Sequence, residues 1–172
     1  TTRDDAQSQR VFEWLEPRTD AILPIWSADT EIAGRRGEVF GVVDHSTYRD
    51  HWPLLVAMDA AWDAVEAGNG VLVNEQAWRS LGLQLGDPVQ LGSGTPMILV
   101  GVYSDYGNPN AQAIIGLDTL TARYGERVTR LRYGLRVPPK DAPARVTPPT
   151  DAPQAKPAGK VAAAASVPGA TP

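Results

Sequence analysis

Apolar positions along this chain fall in short runs whose period switches between about two and about 3.6 residues, the mark of strands interleaved with short helices. Val11, Phe12, Trp14 and Leu15 put an apolar side on a helix over residues 4–16, stopped by Pro17. Residues 21–32 and 38–43 read as strands joined by Gly34-Arg35-Arg36-Gly37. Asp59 stands where a cap would start a helix bearing Trp62 and Val65, ended by Gly68. Val71-Leu72-Val73 reads as a short buried strand. Asn74 then caps a helix over residues 75–81 whose Ala77, Trp78 and Leu81 share a face, and Gly82 closes it. Two strands follow, over 87–91 and 96–103, across a Gly92-Ser93-Gly94-Thr95 turn. A strand over 113–117, a helix capped by Asp118 and running to Tyr124, and a strand over 128–137 complete the body. The mixture predicts an α+β domain with a mixed sheet and short packed helices.

Composition sharpens the boundaries. Past Val137 the chain has nine prolines, ten alanines and no aromatic residue. Such a segment buries too little apolar surface to offset the entropy of ordering it. The expectation is a folded domain over 1–137 followed by a disordered Pro/Ala-rich tail over 138–172. The chain's net charge of −4 divides as 12 − 18 = −6 in residues 1–137 and 4 − 2 = +2 in residues 138–172. An acidic body argues against a nucleic-acid surface, because phosphate binding needs a cationic face. With no cysteine, disulfides and thiolate metal sites are excluded. The longest apolar stretch, residues 97–103, falls far short of the roughly twenty residues of a spanning helix, and Thr1–Arg10 is too polar for a signal peptide. A periplasmic protein with this sequence would carry its membrane anchors elsewhere.

The central motif is Leu81-Gly82-Leu83-Gln84-Leu85-Gly86-Asp87. Gly82 supplies the left-handed residue that ends the helix, Leu83 and Leu85 are expected in the core, and Gly86-Asp87 makes a tight turn into the next strand. The ordered set Val71-Leu72-Val73, Glu75-Gln76-Ala77, Leu81-Gly82-Leu83, Gly86-Asp87 and Val100-Gly101-Val102-Tyr103 resembles the extracytoplasmic domain of FtsX/MacB-type ABC-transporter permeases. His51-Trp52-Pro53-Leu54 and Asp105-Tyr106-Gly107-Asn108-Pro109 resemble a subgroup of AttF/AttG-like permeases. This likeness implies a non-catalytic periplasmic domain, tethered at a bacterial inner membrane by parts outside this chain. It would couple cytoplasmic ATP hydrolysis to export or to handling of a substrate or partner outside. The implied partners are an ABC ATPase subunit, a second permease copy and an unidentified cargo or periplasmic protein, with no cofactor. Family members continue into further folded chain where this one enters its Pro/Ala segment. The motif alone also fits a second reading, a cytosolic double-psi or swapped-hairpin barrel acting as a binding module.

Other candidate sites have plainer readings. Asp44-His45 and Asp50-His51 place potential metal ligands close together, but no third histidine exists and the stretch reads as a polar loop. Asp105, Tyr106 and Gly107 read as a turn, with Asp105 bonding local amides. No Gly-x-Ser-x-Gly elbow is present, and the Gly92–Gly94 turn opens no helix that would bind phosphate. Glu75, Gln76, Leu81, Gly82, Gly86, Asp87, Gly101, Asp105, Tyr106 and Gly107 are thus expected to serve the fold, with no catalytic or metal residue among them. Four of the five tryptophans lie on apolar faces, while Trp52, beside Pro53, is the candidate partner contact. Arg130 and Arg132 share one strand face and are expected to be solvated.

Overall fold

A computed structural model describes residues 13–105 and 108–137. The predicted 138–172 tail and most of the predicted N-terminal helix lie outside them. The described elements run β1 (Ala21–Ile32), β2 (Arg35–Val42), α1 (Ser46–His51), β3 (Leu54–Ala57), α2 (Ala61–Glu66), β4 (Gly70–Asn74), α3 (Glu75–Leu81), β5 (Pro88–Val89), β6 (Met97–Tyr103), β7 (Ala111–Gly116), α4 (Leu117–Tyr124) and β8 (Arg130–Arg136). They build one mixed sheet in the order β3-β6-β4-β7-β2-β1-β8, with β5 on β6. β2 runs parallel to β7 and β4 parallel to β6, while the other pairs are antiparallel. The α+β mixed sheet is the expected class. Its two ends, β3 and β8, do not pair, so the sheet is open and the barrel reading does not hold.

The sheet is covered on both faces, which explains why its middle strands read as unbroken apolar runs. Val71 and Val73 of β4 join one core cluster with Ala77 of α3 and Leu120 and Tyr124 of α4. Leu72 between them joins the other, with Tyr48 of α1 and Ala61, Trp62 and Val65 of α2. Alternation along a strand sends successive side chains to opposite faces. Each cluster therefore takes every second residue of β4.

Several local expectations change. Ala33 and Gly34, both at positive φ, make a two-residue hairpin turn, so Arg35 and Arg36 belong to β2 and pair with Ile32 and Glu31. Positive φ at both central positions gives the turn the twist of its flanking strands. Residues 44–51 are not a polar loop: His45 caps α1, its Nδ1 accepting from the Thr47 amide at 3.1 Å. Asp59 caps nothing; α2 starts after Ala60 at φ 55. Asp118 likewise lies inside the first turn of α4, after Gly116. The predicted strand over 87–91 shrinks to β5, with Leu91 bridging Ile32. Trp14 is 59% exposed under the Arg18 guanidinium, and the α-helical residues end at Leu15, ahead of Pro17, where a 3-10 turn, Glu16–Arg18, follows.

Candidate functional site

Where α1 crosses the second face of the sheet, the packing leaves a cavity of about 470 Å³. Its position follows from local sequence. The His45 cap starts α1, and Trp52 ends it, with its amide bonding the Tyr48 carbonyl. Arg49 fixes the helix laterally, reaching Asp44 at 2.6 Å, Asp63 of α2 at 2.7 Å and Glu66 at 3.5 Å. The hydrogen bond from Arg49 holds Asp44 below the usual carboxylate range. Tyr48 is thereby turned inward and Trp52 laid across the cavity.

Aromatic edges form one wall. The Trp52 ring meets Tyr48 at 5.2 Å, Trp62 at 6.2 Å and Tyr103 at 6.1 Å between centroids, all in edge-to-face arrangement. That geometry sets positive ring edges against negative faces. Ile25, Phe40 and Ile114 supply the opposite, aliphatic and aromatic floor. Tyr103 Oη donates to Gln112 Oε1 at 3.2 Å. Burial raises the Tyr103 hydroxyl well above the ordinary tyrosine range, and the nearby Asp105 carboxylate adds to this. Burial alone pushes Tyr48 up to about 12. Both phenols therefore stay neutral hydrogen-bonding groups at physiological pH.

Of the residues singled out from sequence, His51, Trp52, Pro53, Tyr103 and Asp105 line this cavity. Trp52 is half-buried in an aromatic cluster, not a free loop side chain. Asp105 does not bond local amides through Oδ2, which is buried with no partner. Tyr106 and Gly107 lie outside the described residues. The others stand elsewhere. Glu75 bonds Arg79 at 2.6 Å on α3, Gln76 is exposed, and Leu81 packs on the first-face core. Gly82, at φ +64, ends α3. Gly86, at φ +92, sends its amide to the Leu99 carbonyl, and Asp87 Oδ2 accepts from the Gln84 amide at 2.7 Å. Leu83 packs against that core, but Leu85 is exposed, contrary to expectation. Gly101 lies in β6 where a Cβ would meet Leu72 Cδ2 at 2.8 Å. Arg130 is not simply solvated: it bonds Asp29 at 2.8 Å and Glu38 at 3.2 Å.

Sequence reading missed Tyr48, Arg49 and Asn74's wider role. Asp44-His45-Ser46 ahead of Tyr48 was the available signal for a helix start. Among the described residues no group of three or more His, Cys, Asp or Glu is placed to hold a metal ion, and no helix is long and apolar enough to cross a membrane.

Comparison with known families decides the family. The model of the MacB-like periplasmic core domain matches residues 2–158. The chain belongs to that family. The expected FtsX/MacB-type extracytoplasmic domain is thus the right reading, and the match continues beyond Val137. No curated protein matches the chain. Among solved structures, the extracellular domain of the noncanonic ABC-type transporter YknZ from Gram-positive bacteria is similar, with TM-score 0.55 and 12% identity over 76% of this chain and 73% of that one. The periplasmic region of MacB from Actinobacillus actinomycetemcomitans matches with TM-score 0.55 and 14% identity over 74% of this chain. This MacB-like domain spans 61% of that region. At these identities the likeness is one of fold.

Proposed function

We propose that this domain is the extracytoplasmic coupling lobe of an ABC-transporter permease in a bacterial inner membrane, with no chemistry of its own. On this reading, ATP hydrolysis by a cytoplasmic ATPase subunit drives the permease, a second permease copy completes it, and the lobe handles a substrate or partner outside. Membership of the AttF/AttG-like subgroup is part of the proposal and rests on the residue 51–54 and 105–109 motifs.

One observation carries the coupling role. The first and last strands of the domain pair with each other: Ala21 of β1 stands opposite Arg136 of β8, and the Asp20 amide donates to the Arg136 carbonyl at 2.8 Å. The start of β1 and the end of β8 thus lie side by side. Movement of either is delivered straight into β1, whose Ile25 lines the cavity. A continuous strand transmits displacement because its packed core resists compression.

The test uses the complete permease with its ATPase. A single cysteine at the cavity rim, His51→Cys, is labelled with a maleimide in the presence and absence of ATP. The proposal expects the labelling rate to change by at least about twofold, within the reach of a modest population shift. Identical rates during active hydrolysis would contradict coupling. In the parent gene, a hydrophobic run of about twenty residues should precede the segment encoding Thr1.

A further inference from the structure

We propose that a groove on the second face of the sheet binds a small neutral amphiphile, a single hydrocarbon chain carrying one polyhydroxyl head. This goes beyond the transporter reading and holds for the domain by itself.

The groove has two parts. Beside the apolar cavity under α1 lies a polar pocket of about 320 Å³, whose lining includes Asp29, Arg36, Glu38, Asn110, Gln112 and Arg130. Gln112 lines both spaces, so they share a wall. Strand register sets their order. Asp29, Glu38 and Gln112 stand opposite one another on β1, β2 and β7 as one row, and Ser27, Phe40 and Ile114 form the next row on the same face. Two residues of strand separate the rows, about 7 Å. Phe40 and Ile114 floor the apolar cavity, so the polar row borders it directly. A ligand lying along the strands meets both parts.

The body belongs in the apolar part. About 470 Å³ falls within the roughly 300–1,000 Å³ of small-molecule sites, which are mostly apolar with a few orienting polar groups. Ile25, Phe40, Trp52 and Ile114 are the apolar surface there.

The polar part selects the head. Its charged lining is two carboxylates, Asp29 and Glu38, and two guanidiniums, Arg36 and Arg130. Arg130 already bonds Asp29 at 2.8 Å and Glu38 at 3.2 Å. A charged head of either sign would meet two groups of its own sign. Hydrogen-bonding capacity of both kinds is left over. Arg36 enters no ion pair among the described residues. Gln112 gives its Oε1 to Tyr103, which leaves its Nε2 donors. Ser27 and Arg130 converge on Glu38 Oε1, and a carboxylate has about four lone-pair sites, which leaves Oε2 to accept. Each hydroxyl of a polyhydroxyl head donates and accepts. Such a head pairs with Arg36, Gln112 and Glu38 without adding charge.

The test titrates the 172-residue chain at neutral pH with n-octyl β-glucoside, octanol, octylamine, octanoate and glucose, each amphiphile below its micelle concentration, following tryptophan emission and heat. Octyl glucoside should bind saturably, one to one, about tenfold tighter than octanol and than either charged octyl compound. Glucose, lacking the body, should bind at least about a hundredfold more weakly. Arg36→Ala removes an exposed side chain without an ion-pair partner; it should weaken octyl glucoside about fivefold and leave octanol unchanged. Ile25→Phe, filling the floor, should weaken octyl glucoside and octanol alike by about tenfold, with circular dichroism confirming that each variant folds. Absence of saturation, octanoate or octylamine binding as tightly as octyl glucoside, or an Arg36→Ala loss equal for glucoside and octanol each overturns the proposal. The first two comparisons need only the unaltered chain.

Discussion

The Gln112 amide donates to Asn74 Oδ1 at 3.0 Å, joining positions 38 residues apart. The same oxygen accepts from the Ala77 amide at 3.1 Å, while Asn74 Nδ2 donates to the Asn110 carbonyl at 2.9 Å. One fully buried amide thus starts α3 and anchors the beginning of β7. Gln112 in turn accepts from Tyr103 at the cavity wall. The helix that folds back through Gly82 and the cavity on the other face therefore share a structural pin.

Replacing that pin should be among the costliest polar changes in the domain. Asn74→Ala removes the cap and leaves two amides and a carbonyl unpaired. The expected loss is about 2–4 kcal/mol, read as a fall in the urea midpoint with an unchanged slope. A loss under about 0.5 kcal/mol, the level of an ordinary surface change, would show that the network carries no weight.

Two glycines that look alike in sequence should behave differently. At Gly82 the backbone is left-handed but the space around it is open, so Gly82→Ala should cost about 1–2 kcal/mol of backbone strain. At Gly101 the added atoms of Gly101→Val collide with Leu72 and Ala57, and overpacking there should cost about 2–3 kcal/mol. Denaturant unfolding of the pair gives the order, and a reversed order contradicts the packing account.

Tyr48→Phe should leave stability unchanged or raise it by up to about 1 kcal/mol, since the hydroxyl it removes is buried and unpaired. In the unaltered chain, absorbance titration should show one tyrosine ionising only near 12, held neutral by burial. A clear destabilisation by Phe would mean that the hydroxyl has a partner.

Acid should destabilise the domain through Asp44 and Asp29. Each is held below the ordinary aspartate range, first by a hydrogen bond from Arg49 and from Arg130 respectively. The unfolded chain therefore takes up their protons first as pH falls, so their contribution is intact above about pH 4 and is lost as pH drops through the folded values. Asp44→Asn should flatten the pH dependence of the urea midpoint more than Asp29→Asn. The Asp44 side chain is 31% exposed against 76% for Asp29, and solvent screens the latter.

The fold was legible where periodicity and capping agreed. Val71-Leu72-Val73 followed by Asn74 and closed by Gly82 names a buried strand, a cap and a stop, and each lies where the chemistry puts it. Short helices were harder. Six residues from Ser46 show less than two turns of periodicity, so Tyr48 read as loop until Arg49 was seen to bridge Asp44, Asp63 and Glu66. Asp59 and Asp118 are good capping types at positions where tertiary packing starts the helix one or two residues away. The cavity was invisible in sequence because Ile25, Tyr48, Trp52 and Asp105 come from separated segments. His51, Trp52 and Asp105 stood out, each for a different reason than the one that places it there.

The central claim is that this lobe faces outward from the inner membrane. This chain contains no cysteine, so Asp118→Cys on exposed α4 gives a single handle in a full-length permease freed of other cysteines. A maleimide that crosses the outer but not the inner membrane should label it in intact bacteria as fully as after lysis. Labelling that appears only once the inner membrane is broken would place the domain in the cytoplasm and contradict the account.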